Sequence, residues 1–115
     1  MRPLRDSFSY AFTGITEMWK RERNLRVQVF ILAGSVAAGF ILRISSLEWA
    51  AIILCGVMVL SAEMFNTALE ALADIVSPEY NEKVRILKDA AAGAVLVLSI
   101  GAAAVGLIIF IPKII

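Results

Sequence analysis

From Trp49 to Ala62 the chain carries no charge, and the same run continues directly into Glu63-Met64-Phe65-Asn66-Thr67-Ala68-Leu69-Glu70-Ala71-Leu72-Ala73-Asp74. A helix through this stretch lies at least partly in a membrane or a dry core, yet it holds three carboxylates and an asparagine. At about 100° per residue, with Glu63 at 0°, Asn66 falls near 300°, Glu70 near 340°, Asp74 near 20° and Thr67 near 40°. The five polar residues form one stripe roughly 100° wide, and Met64, Phe65, Leu69, Leu72 and Ile75 cover the rest. An ionised carboxylate at bilayer depth costs at least about 2.5–3.5 kcal/mol, so the stripe does not face lipid. It faces other helices, cations or a polar cavity.

Composition settles which environment applies. Of 115 residues, 60% are hydrophobic, against about 45–50% in soluble domains. A chain of this length has room for one domain, 1–115. A net charge of +1 gives no reason to expect nucleic acid as a partner. The single Cys55 sits in an apolar run and reads as a small buried hydrophobe. There is no histidine, so acid–base chemistry falls to carboxylates or lysine. Met1 to Arg26 is charged throughout and does not read as a signal peptide.

Leu4, Phe8, Phe12, Ile15 and Trp19 fall at about 0°, 40°, 80°, 20° and 60° on a helical wheel. The expectation is an amphipathic helix over about residues 4–20, with Pro3 at its first turn, lying in the membrane interface with Trp19 as anchor. The basic cluster Lys20 to Arg26 follows. Val27 to Leu42 is short of the roughly 20 residues that cross a bilayer. The first span is therefore expected over about 23–42, with Arg23 and Arg26 reaching back to the headgroups. Arg43 to Glu48 reads as a polar turn. The second span is expected over about 47–76, longer than the membrane, with its carboxylate-bearing end projecting toward one interface. Ser77-Pro78-Glu79-Tyr80-Asn81 is a stop and turn. The third span, about 84–111, is rich in alanine and glycine and is expected to end at Pro112 and Lys113. Lys and Arg concentrate before the first span and in the second connection (Lys83, Arg85, Lys88), so both should be cytoplasmic. The expected fold class is an all-α integral membrane protein: one N-terminal surface helix and three transmembrane helices, multi-pass in the inner (plasma) membrane.

The pattern Glu63-x-x-Asn66-Thr67-Ala68-Leu69-Glu70-x-x-x-Asp74, followed by Lys88-Asp89-Ala90-Ala91-Ala92-Gly93-Ala94, resembles the prokaryotic diacylglycerol kinase family. The Lys88–Val95 run, with Glu22-Arg23-Asn24-Leu25-Arg26 upstream, is most similar to the undecaprenol kinase branch. The likeness extends from about Phe8 to Lys113. It implies an ATP-dependent lipid kinase, assembled as a homotrimer with active sites shared between protomers. By resemblance Glu63 is the general base on the lipid hydroxyl, and Glu22 with Glu70 holds Mg²⁺. Tyr10, Glu22, Asn66, Glu70, Glu79, Tyr80, Asn81, Lys88 and Asp89 would contact the nucleotide, and Phe12, Gly14, Arg26 and Glu63 the lipid. The family's basic residue at the start of the surface helix has no counterpart, since Pro3 takes its place; Arg2 and Arg5 are the candidate substitutes. Asp74 is left open between a site role and a solvated helix end paired with Lys83 or Arg85.

The residues themselves agree with phosphoryl transfer. It needs a divalent cation, cationic donors and a positioned base, and the chain has no phosphate-binding glycine loop to supply them. Near the headgroup level the surface helix and first span offer Phe8, Phe12, Ile15 and Phe30, with few donors: Ser9, Thr13 and Gln28. Buried ester carbonyls without donors cost about 1–3 kcal/mol each, which favours undecaprenol as acceptor over diacylglycerol, whose product is phosphatidic acid. Two other classes fit the sequence less well. Small multidrug transporters have an intramembrane glutamate but four spans. An inactive membrane interaction protein leaves the polar stripe unexplained.

Overall fold

A computed structural model of the chain describes residues 3–115. Four helices make it up: α1 (Leu4–Arg21), α2 (Arg23–Leu42), α3 (Ser46–Val76) and α4 (Glu82–Ile114). The last three are long and apolar enough to cross a membrane.

Local chemistry accounts for the helix ends. Pro3 (φ −57°) precedes α1, and its carbonyl accepts from the Ser7 N–H at 3.1 Å. Glu22 is extended (φ −105°, ψ 105°) and separates α1 from α2. That break leaves carbonyls at the end of α1, and the Arg26 guanidinium donates to two of them, Trp19 at 2.7 Å and Lys20 at 3.1 Å. A cation there also complements the negative end of the helix dipole. Arg43 closes α2 in the left-handed region (φ 52°, ψ 57°), a conformation that disfavours a side chain by roughly 1–2 kcal/mol. The Ile44 N–H, bonded to the Gly39 carbonyl at 3.2 Å, and the burial of Ile44 offset it. Ser45 and Glu48 then form a capping box at the start of α3: the Ser45 hydroxyl accepts from the Glu48 N–H, and the Glu48 carboxylate accepts from the Ser45 N–H.

Asn81 caps α4 by accepting from the N–H groups of Lys83 (3.0 Å) and Val84 (3.2 Å). Pro112 does not end α4, which continues to Ile114. The last turn is held by the Ile115 N–H on the Ile111 carbonyl and by Lys113, whose ammonium lies 3.2 Å from Glu48.

Helix α3 packs against α2 and, more extensively, against α4. The molecule measures 52 × 38 × 22 Å, so its thinnest dimension is about two helix diameters. The packed core sits near the α2–α3 turn, where Ile44, Ile52 and Ile109 meet Leu32, Trp49 and Phe110. Phe40 stacks tilted on Trp49, with ring centroids 4.8 Å apart. Two glycines permit this approach. A Cβ at Gly39 would fall 2.8 Å from the Trp49 ring, and one at Gly56 would fall 2.6 Å from Leu32. Elsewhere the apolar surface is turned outward: at most 17% of any span's most apolar window is buried. A surface of that kind needs hydrocarbon or other helices against it, not water.

Candidate active site

Glu63 is the one charged residue buried among the described residues, at 4% exposure. It lies on the stripe of α3 that also buries Ile52 and Val59. It sits thirteen residues before Val76, roughly 20 Å along the axis from that end. One turn on, the side-chain oxygen of Asn66 is buried with no hydrogen-bond partner, and so is that of Gln28 on α2. A buried oxygen without a donor costs about 1–3 kcal/mol. Each of these two oxygens is therefore open to a hydrogen-bond donor from a ligand.

Along the same helix the stripe opens. Glu70, two turns beyond Glu63, is exposed, and Asp74 is exposed as well. Glu22 is half-buried at the break between α1 and α2. Among the described residues no three metal-ligating side chains gather. A cation here would have two carboxylates at most from Glu22 and Glu70. That donor set fits Mg²⁺, which takes one or two carboxylates and completes its octahedron with phosphate oxygens and water.

The facing ends of α3 and α4 carry a charged network. Lys88 forms an ion pair with Asp74 across the two helices. Arg85 reaches Asp89 at 2.7 Å and also pairs with Glu82, which accepts a hydrogen bond from the Tyr80 hydroxyl. Asp74 is therefore paired with neither Lys83 nor Arg85. Arg85 is committed to acids three and four residues away on its own helix, the spacing at which helical side chains meet. Lys88 is the cation that faces α3. Glu79 offers its carbonyl to the Ser77 hydroxyl at 3.1 Å, and Asn81 is occupied as the α4 cap.

Tyr10, Phe12 and Gly14 lie exposed on α1, and a Cβ on Gly14 would meet nothing within 4 Å. Within one chain these three are not enclosed. Arg26 is half-buried, with its guanidinium on the α1 carbonyls. Arg5 lies 3.8 Å from Asp6, whereas Arg2 lies outside the described residues. The capping role of Arg26 escaped sequence reasoning because it depends on the break at Glu22. The buried Gln28 amide had a visible signal: a polar side chain inside Leu25-Arg26-Val27-Gln28-Val29-Phe30.

The Asp74–Lys88 pair is 66% and 34% exposed at its two side chains, and pairs this open contribute about 0–1 kcal/mol. A phosphate can take Lys88 from Asp74 at little cost. If Lys88 contacts nucleotide phosphate, as the resemblance implies, Lys88→Ala is expected to raise KM for ATP by about ten- to a hundredfold, the loss of one charge-assisted contact. Asp74→Asn is expected to change it by no more than about fivefold. Initial rates against ATP concentration check both, and an equal effect of Asp74→Asn would place Asp74 itself on the nucleotide.

Comparison with known proteins gives three findings. The family model for prokaryotic diacylglycerol kinase matches residues 9–110. The chain is 36% identical over 107 residues to the undecaprenol kinase of Bacillus subtilis (strain 168), covering 93% of this chain and 87% of that protein. It is also 36% identical over 107 residues to the diacylglycerol kinase of Synechocystis sp. (strain ATCC 27184 / PCC 6803 / Kazusa), covering 92% of this chain and 61% of that protein.

Proposed function

This chain belongs to the prokaryotic diacylglycerol kinase family of lipid kinases, and we propose that it transfers the γ-phosphoryl group of ATP to undecaprenol, yielding undecaprenyl phosphate. The observation that carries the chemistry is the buried Glu63 beside the unpartnered Asn66 oxygen. In this reading the lipid hydroxyl sits between them. Glu63 accepts its proton as the hydroxyl oxygen forms a bond to the γ-phosphorus. The bond from that phosphorus to the β–γ bridging oxygen breaks, and ADP leaves. Lys88 exchanges Asp74 for phosphate and neutralises charge that develops on the transferring group. Asp89, held by Arg85, and the Glu79-Tyr80-Asn81 turn border the nucleotide, with Tyr10 of α1 on its other side. Glu22 and Glu70 would hold Mg²⁺, which when bound neutralises phosphate oxygens. Phe12, Gly14 and Arg26 line the approach of the lipid.

The same reading places the complete site between chains. One chain leaves Tyr10, Phe12 and Gly14 exposed and most of its apolar helix surface uncovered, which suits a homotrimer whose sites are shared by neighbours. Leu4, Phe8, Phe12, Ile15 and Trp19 are all exposed on α1, which suits a helix lying in the interface of the cytoplasmic leaflet. The N-terminus and the α3–α4 connection then face the ATP pool.

Equal identity to an undecaprenol kinase and a diacylglycerol kinase leaves acceptor choice to the residues. The scarcity of donors around Phe8, Phe12, Ile15 and Phe30 favours a polyprenyl tail over two ester-linked chains. With both lipids at equal mole fraction in one mixed micelle and labelled ATP, undecaprenol is expected to be preferred at least about tenfold in kcat/KM, or roughly 1.4 kcal/mol. Label appearing mainly in phosphatidic acid would instead make the chain a diacylglycerol kinase.

A further inference from the structure

Glu22 stands between α1 and α2 with extended backbone (φ −105°, ψ 105°), so the hydrogen-bond ladder of α1 does not run on into α2. In an unbroken helix the Trp19 and Lys20 carbonyls would accept from the N–H groups four residues on, those of Arg23 and Asn24. Here a single nitrogen of Arg26, Nη1, donates to both carbonyls, at 2.7 Å and 3.1 Å. The Met18 carbonyl accepts from the Glu22 N–H at 2.8 Å, and the Glu22 carbonyl accepts from the Arg26 N–H at 3.3 Å. Glu22 is thus bracketed. Its amide is tied to α1, its carbonyl to Arg26, and the Arg26 guanidinium closes the ring on α1.

A second contact fixes the same corner. Phe30, four residues beyond Arg26 and so on the same face of α2, packs tilted on the Trp19 ring with centroids 6.0 Å apart. Trp19 is therefore held by α2 at its carbonyl and at its ring. Leu25, next to Arg26, is buried, so the corner is packed there.

We infer that Arg26 is a positioning residue for the cation: by holding the α1–α2 corner it sets where Glu22 presents its carboxylate. This rests on Glu22 as a cation ligand in the proposed reaction. Mg²⁺ demands near-ideal octahedral geometry, so a carboxylate carried on an unheld break serves it poorly. Arg26 can border the lipid through its stem; its charged end is committed to the corner. The sign of the effect separates this role from plain electrostatics. Removing a positive charge near a cation site tightens cation binding where charge alone matters, whereas losing the clasp weakens it.

The test needs no turnover. The probe is the Mn²⁺ complex of a non-hydrolysable ATP analogue, since Mn²⁺ suits the same oxygen ligands as Mg²⁺. Its binding to full-length protein in phosphatidylcholine nanodiscs is followed by the change in its electron paramagnetic resonance signal. Arg26→Met keeps the stem and removes the donors. It is expected to weaken binding by about tenfold, the usual effect of losing a group that orients a metal ligand. Arg26→Lys is expected to recover affinity to within about threefold of wild type, because one nitrogen makes both bonds and an ammonium carries enough donors. In a Glu22→Ala background Arg26→Met should add nothing further, because it acts through Glu22. In the kinase assay Arg26→Met should leave KM for undecaprenol within about twofold of wild type. Arg26→Gln, which is too short to span the corner, replaces Arg26→Met if helicity shows that variant unfolded.

Unchanged or tighter Mn²⁺ binding by the folded variant overturns the clasp. A loss that multiplies in the Glu22→Ala background puts the guanidinium on the nucleotide, and a raised undecaprenol KM with metal binding intact puts it on the lipid; either overturns the inference. No binding of the Mn²⁺ complex by the wild type overturns it too, because Glu22 then holds no cation. Undecaprenol turnover with Arg26→Met binding unchanged keeps the kinase reading and removes the clasp. The expected Mn²⁺ results in a protein that phosphorylates no polyprenol keep the clasp and remove the undecaprenol reading.

Discussion

Glu63→Gln is expected to lower kcat/KM for the lipid acceptor by about 10²–10⁴-fold, the usual contribution of a positioned general base. The substitution keeps the size of the side chain and most of its hydrogen-bonding capacity, so the loss reads on proton transfer. It should not unfold the protein. Glu63 is 4% exposed within a helix long and apolar enough to cross a membrane, and a neutral amide of the same size fits that space without burying a charge. The mutant should therefore purify with wild-type helicity and oligomer size, and thermal melting should show equal or higher stability. Retention of a tenth of the wild-type rate would remove Glu63 from the role of base. A loss of activity accompanied by aggregation would say nothing about the proton, which is why helicity and size are measured in the same preparation.

The second large effect concerns the cation. Glu22→Ala and Glu70→Ala are each expected to raise the Mg²⁺ concentration for half-maximal rate by about ten- to a hundredfold, as loss of a contact to a charged ligand implies. Glu22 is half-buried at the α1–α2 break and Glu70 is exposed on α3, so a shared ion would draw its two carboxylates from different elements. If both hold that one ion, the double mutant should be little worse than the worse single, because the second substitution removes a ligand from a site already lost. Titrating Mg²⁺ at saturating ATP for the two singles and the double decides it. Multiplying effects would mean two independent sites.

Much of the scaffold can be read from the sequence because it is set by neighbours along the chain. Hydropathy and length mark three helices that can cross a membrane. Ser45 with Glu48, and Asn81 before Lys83 and Val84, carry their caps within three residues. The 3.6-residue period alone puts Glu63, Asn66, Glu70 and Asp74 on one stripe, and bilayer energetics alone turn that stripe away from lipid. The family likeness is legible for the same reason, since its polar positions are fixed by spacing in an apolar background.

What the sequence could not decide is which side chains meet across helices, since packing sets contacts that no local pattern encodes. Only the tertiary structure shows that the stripe is divided: Glu63 is buried while Glu70 and Asp74 are exposed, because α2 and α4 cover α3 over part of its length. It gives Lys88 rather than Lys83 or Arg85 to Asp74, because Arg85 is held by acids on its own helix. It sets Arg26 on the carbonyls of α1, which depends on a chain break that hydropathy does not register. It opens a cavity beside Val59, where Gly56 meets Leu32 across from Ala102 and Gly106: three separated stretches of chain border one space only when the helices are packed.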